Sequence, residues 1–223
     1  MSRWILVLGG AKGLGREIAL ELAKSGFSVV VHYLSLDEEA ESTALDCKEF
    51  GVQAKTIIGD LSTVDGALDL AQKVRDEIGS VYGIVNCVAQ SVVGSILETP
   101  LEKAEQLFAM NLFVPLALIR ELIEDLKRER GAVVHIGTSG ILGGSRPYCE
   151  ASKEALIQIT RSLALELSSC GVRVNMILPS ESCSLTVSCP LPDKAIAQTA
   201  AYLVSEQASS ITGQHIEVMR GVT

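Results

Sequence analysis

The sequence predicts an α/β protein with a doubly wound parallel sheet, and three observations indicate that fold class. Short apolar runs rich in Val and Ile alternate with longer segments whose apolar residues recur at helical spacing. Runs such as Val29-Val30-Val31 and Gly83-Ile84-Val85 carry no polar side chain, as strands covered on both faces require. The 223 residues show no linker, repeat or low-complexity tract, and this length suits one core. We therefore expect a single domain over residues 1–223.

The strands and helices are predicted to alternate along the whole chain. The apolar runs predict strands over residues 4–8, 28–33, 54–58, 82–87, 131–136, 172–178 and 214–218. Helical periodicity predicts helices near residues 14–25, 37–50, 64–78, 101–127, 149–168 and 193–205. Residues 99–102, Thr-Pro-Leu-Glu, have the pattern of a capping box at a helix start. Repeated strand–helix units favour right-handed crossovers, and such sheets bind ligands beyond the carboxyl ends of their strands.

Composition and charge argue against several classes of partner. The chain has 19 Lys and Arg against 27 Asp and Glu, a net charge of −8 without a basic cluster, which disfavours nucleic acid and anionic membranes. No apolar run is long enough to cross a bilayer, and the first predicted strand leaves no room for a signal peptide. The six cysteines form no CxxC pair and no metal spacing, so we expect reduced thiols, no metal site and a cytoplasmic location.

A glycine-rich turn joins the first strand to the first helix. Glycines at positions 9, 13 and 15 give the spacing GxxxGxG. Glycines there permit a tight turn, a close backbone approach to a diphosphate and close packing of helix on strand, and the helix start offers free N–H groups. The alternative is an ordinary glycine-rich turn, which its position directly after the first strand disfavours. The pattern predicts the dinucleotide-binding turn of a Rossmann fold.

Several motifs resemble those of the short-chain dehydrogenase/reductase family, most closely its 3-oxoacyl-[acyl-carrier-protein] reductase type. The turn matches TGxxxGxG with Leu8 in place of the threonine. Asp60 matches an aspartate that contacts adenine in that family, and Asn86 matches the first asparagine of the NNAG turn, whose remainder is altered to Cys-Val-Ala. Further matches, in family order, are Asn111 in Met-Asn-Leu, Val174-Asn175 before Pro179, and Ile211-Thr212-Gly213-Gln214.

The resemblance implies a nicotinamide dinucleotide as cofactor. It assigns cofactor contacts to Gly9, Lys12, Gly13, Leu14, Gly15, Asp60, Leu61, Asn86, Lys153 and Pro179. An acidic residue at the end of the second strand would bind the ribose hydroxyls of NAD and repel a 2′-phosphate. The sequence has no acid there before Asp37, and Lys12 could pair with the phosphate; the alternative, that Lys12 is a solvated loop lysine, is less favoured. NADP is therefore the favoured cofactor, with NAD possible.

The family's catalytic residues are only partly matched. In that family a Tyr protonates the substrate carbonyl, a Lys lowers the pKa of that Tyr, a Ser orients the carbonyl and an Asn supports a proton relay. Asn111 and Lys153 match the Asn and the Lys. Alignment leaves the serine open between Thr138 and Ser139, and Ser139 is slightly favoured.

The tyrosine departs from the family motif YxxxK. Tyr148 lies five residues before Lys153, and Cys149 occupies the usual position. Five helical residues turn a side chain by about 500°, which places it about 140° from the face of the lysine. Tyr148 could still act as the acid if Pro147 delays the helix and leaves the tyrosine in a non-helical entry. Alternatively, the loop from Ser139 to Tyr148 is shorter than in the family and could reset the geometry. The segment after Pro179, which forms a long lid in the family, is also short here.

These features lead to two functional hypotheses. The first is an NADPH-dependent reductase of a 3-oxoacyl thioester or similar ketone, with Tyr148 as the acid. The second is a nucleotide-binding but catalytically silent member that acts as a structural or regulatory partner, which the displaced tyrosine and short lid favour. The resemblance also implies a homo-oligomer, or a hetero-oligomer with a paralogue, formed through the helices predicted at 101–127 and 149–168.

Overall fold

A seven-stranded parallel sheet carries helices on both faces. The structure is a computed structural model, and it describes residues 2–35, 37–137, 146–179 and 193–218. The strands are β1 Trp4–Leu8, β2 Ser28–Tyr33, β3 Ala54–Ile58, β4 Gly83–Asn86, β5 Ala132–Ile136, β6 Arg173–Pro179 and β7 His215–Val218. The helices are α1 Gly13–Lys24, α2 Asp37–Lys48, α3 Val64–Ile78, α4 Leu101–Phe108, α5 Val114–Glu121, α6 Ile123–Glu129, α7 Pro147–Leu167 and α8 Asp193–Val204.

The sheet has the strand order β3-β2-β1-β4-β5-β6-β7, and every neighbouring pair is parallel. The order reverses between β1 and β4, where Leu8 pairs with Asn86. Such a reversal opens a crevice at the carboxyl edge of the sheet, because the following chains leave toward opposite faces. The predicted doubly wound α/β fold is confirmed.

The side chains of β1 alternate between the two largest of three clusters of buried apolar residues. In β1, Ile5 and Val7 belong to the core beneath α1, α2 and α8, whereas Leu6 and Leu8 belong to the core beneath α3 and α5. All four side chains are buried. Every strand end lies within one residue of its predicted limit. For the central strands the reason is that burial on both faces requires apolar residues along the strand.

The helix predicted over residues 101–127 is interrupted. A π-helical segment, Ala109–Phe113, separates α4 from α5, and α6 is bent by 61° from the helices before it. Pro115 has no N–H for the carbonyl of Asn111, and its ring would clash with that carbonyl in a regular helix. The wider π turn accommodates the proline, and the Val114 N–H bonds to the Ala109 carbonyl, five residues earlier.

The predicted capping box at residues 99–102 is wrong. The helix α4 begins at Leu101, and Pro100 occupies the N-cap position without a side-chain cap. The Thr99 hydroxyl donates instead to the Ser95 carbonyl at 2.8 Å. Among the described residues no single helix meets the length and hydropathy needed to cross a membrane, although the bent pair formed by 101–121 and 123–129 does so on those two criteria alone.

Candidate active site

The glycine-rich turn adopts backbone conformations and contacts that require glycine. Gly9 and Gly13 have φ values of +71° and +55°, in the left-handed region that favours glycine. A Cβ on Gly15 would lie 2.0 Å from the Gly9 carbonyl oxygen, so the helix α1 packs directly on the turn. The three glycines therefore bring the start of α1 to the carboxyl end of β1.

The start of α1 fits an anionic ligand such as a diphosphate. Lys12 occupies the N-cap position and makes no side-chain cap, and the first turn of this described helix contains no acidic residue. The amides of Gly13, Leu14 and Gly15 have no acceptor within a regular helix. A Cβ built on Gly13 would meet no atom within 4 Å, so space is open beside these amides. The helix dipole adds a favourable field for a phosphate at this position.

His32 supports the same turn from the neighbouring strand. Its Nδ1 accepts the Gly9 N–H at 3.1 Å, and its Nε2 lies 3.1 Å from the Gly59 carbonyl oxygen. Burial lowers the pKa of His32 to about 4, so the ring is neutral near pH 7. In the sequence, His32 lies within a mostly apolar predicted strand, which favours a packed or hydrogen-bonded histidine. The sequence did not indicate which groups it would bond.

The turn after β3 places Asp60 at the same edge of the sheet. Its carboxylate is exposed and accepts the Ser62 N–H at 2.8 Å, and hydrogen bonds from Ser62 lower the pKa of Asp60. Leu61 is buried beside it. Lys12 is exposed on the adjoining turn. The residues predicted to contact the adenosine half of a dinucleotide thus lie on loops that leave β1 and β3 at one edge.

Asn86 ends β4 and organises the chain that follows it. Its side-chain carbonyl accepts the Val88 N–H at 3.2 Å, and its amide lies 3.4 Å from Nδ1 of His135 on β5. A Cβ on Gly9 would lie 3.2 Å from the Val88 side chain. The turn after β4 therefore packs against the glycine-rich turn across the reversal in strand order.

Asn111 joins three parts of the candidate site. Its side-chain carbonyl accepts the Gln90 N–H at 2.7 Å, and its amide donates to the Gln90 carbonyl at 2.9 Å and to the Ser152 hydroxyl at 3.0 Å. Ser152 in turn donates to the Cys149 carbonyl at 2.8 Å. The π-helical segment is thereby tied both to the chain after β4 and to the start of α7. Gln90 and Ser152 carried no motif that could have identified them.

Lys153 is a buried cation at the carboxyl end of β5. Its Nζ donates to the Ile136 carbonyl at 3.2 Å. Burial lowers the pKa of Lys153, while the thiols of Cys149 and Cys87 oppose that change. Burial and then the charge of Lys153 lower the pKa of His135 to about 3. Burial of the thiol raises the pKa of Cys87 to about 12, so this thiol stays protonated beside the lysine.

Tyr148 lies in the first turn of α7, because that helix begins at Pro147. The expected non-helical entry is therefore wrong. The Tyr148 hydroxyl donates to the Ile96 carbonyl at 3.1 Å, on the segment between β4 and α4. Cys149, four residues before Lys153, is 8% exposed. The structure thus connects Asn111 to α7 and Lys153 to β5, whereas it gives the Tyr148 hydroxyl a different partner.

Some predicted features lie outside the described residues, namely Thr138, Ser139 and the short segment after Pro179. Pro179 itself ends β6 at the carboxyl edge of the sheet. In the part of the chain that is described, no group of three or more His, Cys, Asp or Glu side chains could hold a metal ion. The four cysteines described, at positions 47, 87, 149 and 170, are free thiols.

A family model described as "short chain dehydrogenase" matches residues 3–184. The chain therefore belongs to the short-chain dehydrogenase/reductase family, whose members are oxidoreductases that use nicotinamide dinucleotides. It is 29% identical to a Staphylococcus epidermidis protein named 3-oxoacyl-[acyl-carrier-protein] reductase, over 100% of this chain and 99% of that one. It is 28% identical to an uncharacterized oxidoreductase of Bacillus subtilis, over 99% of each chain.

Two solved structures described as acetoin dehydrogenases share the fold. The protein from Enterobacter cloacae superposes with a TM-score of 0.90 at 24% identity, over 98% of this chain and 94% of that one. The Salmonella typhimurium protein gives a TM-score of 0.89 at 26% identity, with the same coverage. The resemblance inferred from the motifs, including the likeness to the 3-oxoacyl reductase type, is confirmed.

Proposed function

We propose that the protein is an NADP-dependent reductase that converts the carbonyl of a 3-oxoacyl thioester, or of a similar ketone, to an alcohol. The buried Lys153 at the carboxyl edge of the sheet carries this proposal. Burial of an ammonium group costs free energy unless the group is paired and hydrogen-bonded, so a buried lysine at this edge of the sheet suggests a functional role. Here the group donates to the Ile136 carbonyl, next to the strands where the strand order reverses. The full-length similarity to proteins named 3-oxoacyl reductases supports the substrate class.

The described residues suit the cofactor that the family uses. The amides of residues 13–15 would bind the diphosphate, and Asp60 with Leu61 would contact the adenine. Lys12 would pair with a 2′-phosphate, and no acidic residue at the end of β2 opposes that charge. Asn86, Lys153 and Pro179 would contact the nicotinamide half. A bound reduced nicotinamide supplies the hydride in this chemistry.

The remaining residues supply the proton and the geometry. A phenol has a pKa of about 10, too high for rapid proton transfer near neutral pH, and a nearby ammonium group lowers it. Lys153 would provide that charge, Ser139 would orient the carbonyl and Asn111 would fix α7 relative to the chain after β4. For Tyr148 to act as the acid, its hydroxyl must leave the Ile96 carbonyl. Breaking this neutral hydrogen bond costs about 1 kcal/mol. The start of α7 must also turn, because helical spacing places Tyr148 about 140° from the face of Lys153.

A catalytically silent dinucleotide-binding protein is the second candidate. The observation that favours it is the hydrogen bond from Tyr148 to Ile96, because it engages the tyrosine hydroxyl with the segment after β4 rather than with Lys153. The thiol of Cys149, in the motif position, is much shorter than a phenol. Such a protein would bind the dinucleotide and would not turn over substrate.

Binding and turnover measured on the same preparation test both candidates. NADPH and NADH are titrated by thermal shift, and NADPH oxidation is followed with short 3-oxoacyl thioesters. We expect stabilisation by NADPH and measurable oxidation. Because general acid catalysis typically contributes 10²–10⁴-fold, Tyr148→Phe should lower kcat/KM by about 100-fold or more. Tyr202→Phe, an exposed tyrosine on α8, is the matched control.

The outcomes separate the alternatives. Binding of NADPH without oxidation of any thioester selects the silent protein. Turnover that Tyr148→Phe leaves unchanged removes Tyr148 from the mechanism and leaves the reductase intact. Failure to bind either dinucleotide contradicts both candidates.

A further inference from the structure

We propose that His32 is a positioning residue of the dinucleotide site, which fixes the glycine-rich turn relative to the turn after β3. The inference rests on the proposed function, because it assumes that these two turns contact the ligand. His32 itself is buried within β2 and lies beneath both turns rather than in the crevice.

The two hydrogen bonds of the His32 imidazole determine which ring nitrogen carries the proton. Gly9 N–H can only donate, so Nδ1 must accept and carries no hydrogen. The single proton of the neutral ring is then on Nε2, where it donates to the Gly59 carbonyl at 3.1 Å. One tautomer therefore satisfies both turns at once, and burial keeps the ring neutral by lowering its pKa to about 4.

The backbone of β2 makes a second set of contacts with the same turns. The His32 carbonyl accepts the Gly10 N–H at 3.0 Å, and the Tyr33 carbonyl accepts the Gly59 N–H at 3.0 Å. A Cβ on Gly59 would lie 3.3 Å from Nε2, so the ring also packs against that turn. The His32 side chain and the backbone of β2 therefore hold the same two turns, the glycine-rich turn after β1 and the turn after β3.

Both contacts lead directly to groups that would bind ligand. The Gly9 carbonyl oxygen lies where a Cβ of Gly15 would be, so a movement of Gly9 displaces the start of α1. Gly59 precedes Asp60, whose carboxylate faces solvent at the same edge. A dinucleotide would contact the glycine-rich turn with its diphosphate and the turn after β3 with its adenine. The distance between the two turns therefore determines whether both groups can bind at the same time.

Substitutions of His32 test the proposal by cofactor affinity. In His32→Asn the side-chain oxygen can still accept from Gly9 but cannot reach Gly59, and His32→Leu loses both contacts. We expect the Kd for NADPH, measured by fluorescence titration, to rise about threefold to fivefold in His32→Asn and more than tenfold in His32→Leu. The graded recovery by asparagine is a result that general destabilisation would not give. Each hydrogen bond lost corresponds to about 1 kcal/mol, or about fivefold.

A second measurement separates positioning from stability. Val172→Ala removes buried methyl groups at the opposite edge of the sheet and should lower the thermal midpoint without changing the Kd for NADPH. The affinity for adenosine, which has no phosphate for the glycine-rich turn and so contacts one turn only, should fall less in the His32 variants than the affinity for NADPH.

The possible results are distinct. If the unaltered protein binds neither NADPH nor NADH, the proposed function is wrong. If it binds NADPH and the His32 variants bind equally well, His32 has no positioning role and the cofactor site stands. Should His32→Leu fail to fold, His32→Asn decides, and an unaltered Kd there overturns the inference.

Discussion

Two histidines are buried as neutral side chains, and their burial has a consequence for stability at low pH. Burial lowers the pKa of His32 to about 4, and burial with the charge of Lys153 lowers that of His135 to about 3. In the unfolded chain both return to about 6.5. Between those values the unfolded state binds more protons than the folded state, so folding becomes less favourable as the pH falls.

We expect the free energy of unfolding to be at its full value near pH 7 and to fall between about pH 6.5 and pH 4. Each buried histidine contributes up to about 1.4 kcal/mol per pH unit in that range. Urea denaturation at several pH values measures the slope. His135→Asn should reduce the slope, and His215→Asn, which alters an exposed histidine, should not. An unchanged slope in His135→Asn would contradict the neutral buried ring.

Single residues were predicted with unequal success, for physical reasons. The backbone of the glycine-rich turn needs residues without a Cβ, so the requirement is visible in the sequence at Gly9 and Gly15. The partners of His32 could not be predicted, because the carbonyl of Gly59 reaches it only through the pairing of β2 with β3. The spacing showed that Tyr148 would lie away from Lys153 if it were helical, but the start of α7 at Pro147 was not predicted. The bond from Tyr148 to Ile96 depends on the path of a loop.

At the scale of elements, the limits of the strands could be predicted, whereas a break within a helix could not. The central strands are buried on both faces, and their apolar runs end where the chain leaves the sheet, so their limits are visible in the sequence. The break between α4 and α5 is not visible in that way, because the apolar periodicity continues across it. Pro115 was the available signal, and the side chain of Asn111 uses the resulting π turn to contact both Gln90 and Ser152.

The π-helical segment should therefore depend on Asn111 for stability. Asn111→Ala removes three hydrogen bonds, one buried and two partly buried, and leaves the Gln90 amide and carbonyl without that partner. Since each buried group left unpaired costs about 1–3 kcal/mol, we expect unfolding by urea to show a loss of about 2–5 kcal/mol. Ser152→Ala removes one of these bonds and should cost less than half as much. Equal losses in the two variants would show that the Gln90 contacts contribute nothing.

At the scale of the whole molecule, the order of the strands predicts where the site lies. The chain leaves β1 and β4 toward opposite faces, so the turns after these strands meet at the carboxyl edge, as the position of Gly9 beside Val88 shows. The fold class and this edge were predicted from the alternation of elements alone. The catalytic arrangement was not, because it depends on side chains from β5, α7 and the π-helical segment that are far apart in sequence.

The helices that the family resemblance assigns to an oligomer carry large exposed apolar side chains. Leu101 begins α4, Phe113 lies in the π-helical segment and Leu165 lies in the last turn of α7, with exposures of 72%, 53% and 78%. The helix α7 packs against both α4 and the π-helical segment. Large exposed apolar side chains can mark a surface that contacts another protein when they form one patch.

We expect these helices to contact a second copy of the chain. Light scattering coupled to size-exclusion chromatography should give a mass that is a multiple of the 23.7 kDa of one chain. A carboxylate buried in an apolar interface is costly, so Leu165→Glu should shift the protein toward the mass of a single chain. Leu45→Glu, at a leucine on α2 that is 59% exposed, should keep the unaltered mass. A single-chain mass for the unaltered protein would contradict the oligomer, and an unaltered mass for Leu165→Glu would exclude Leu165 from its interface.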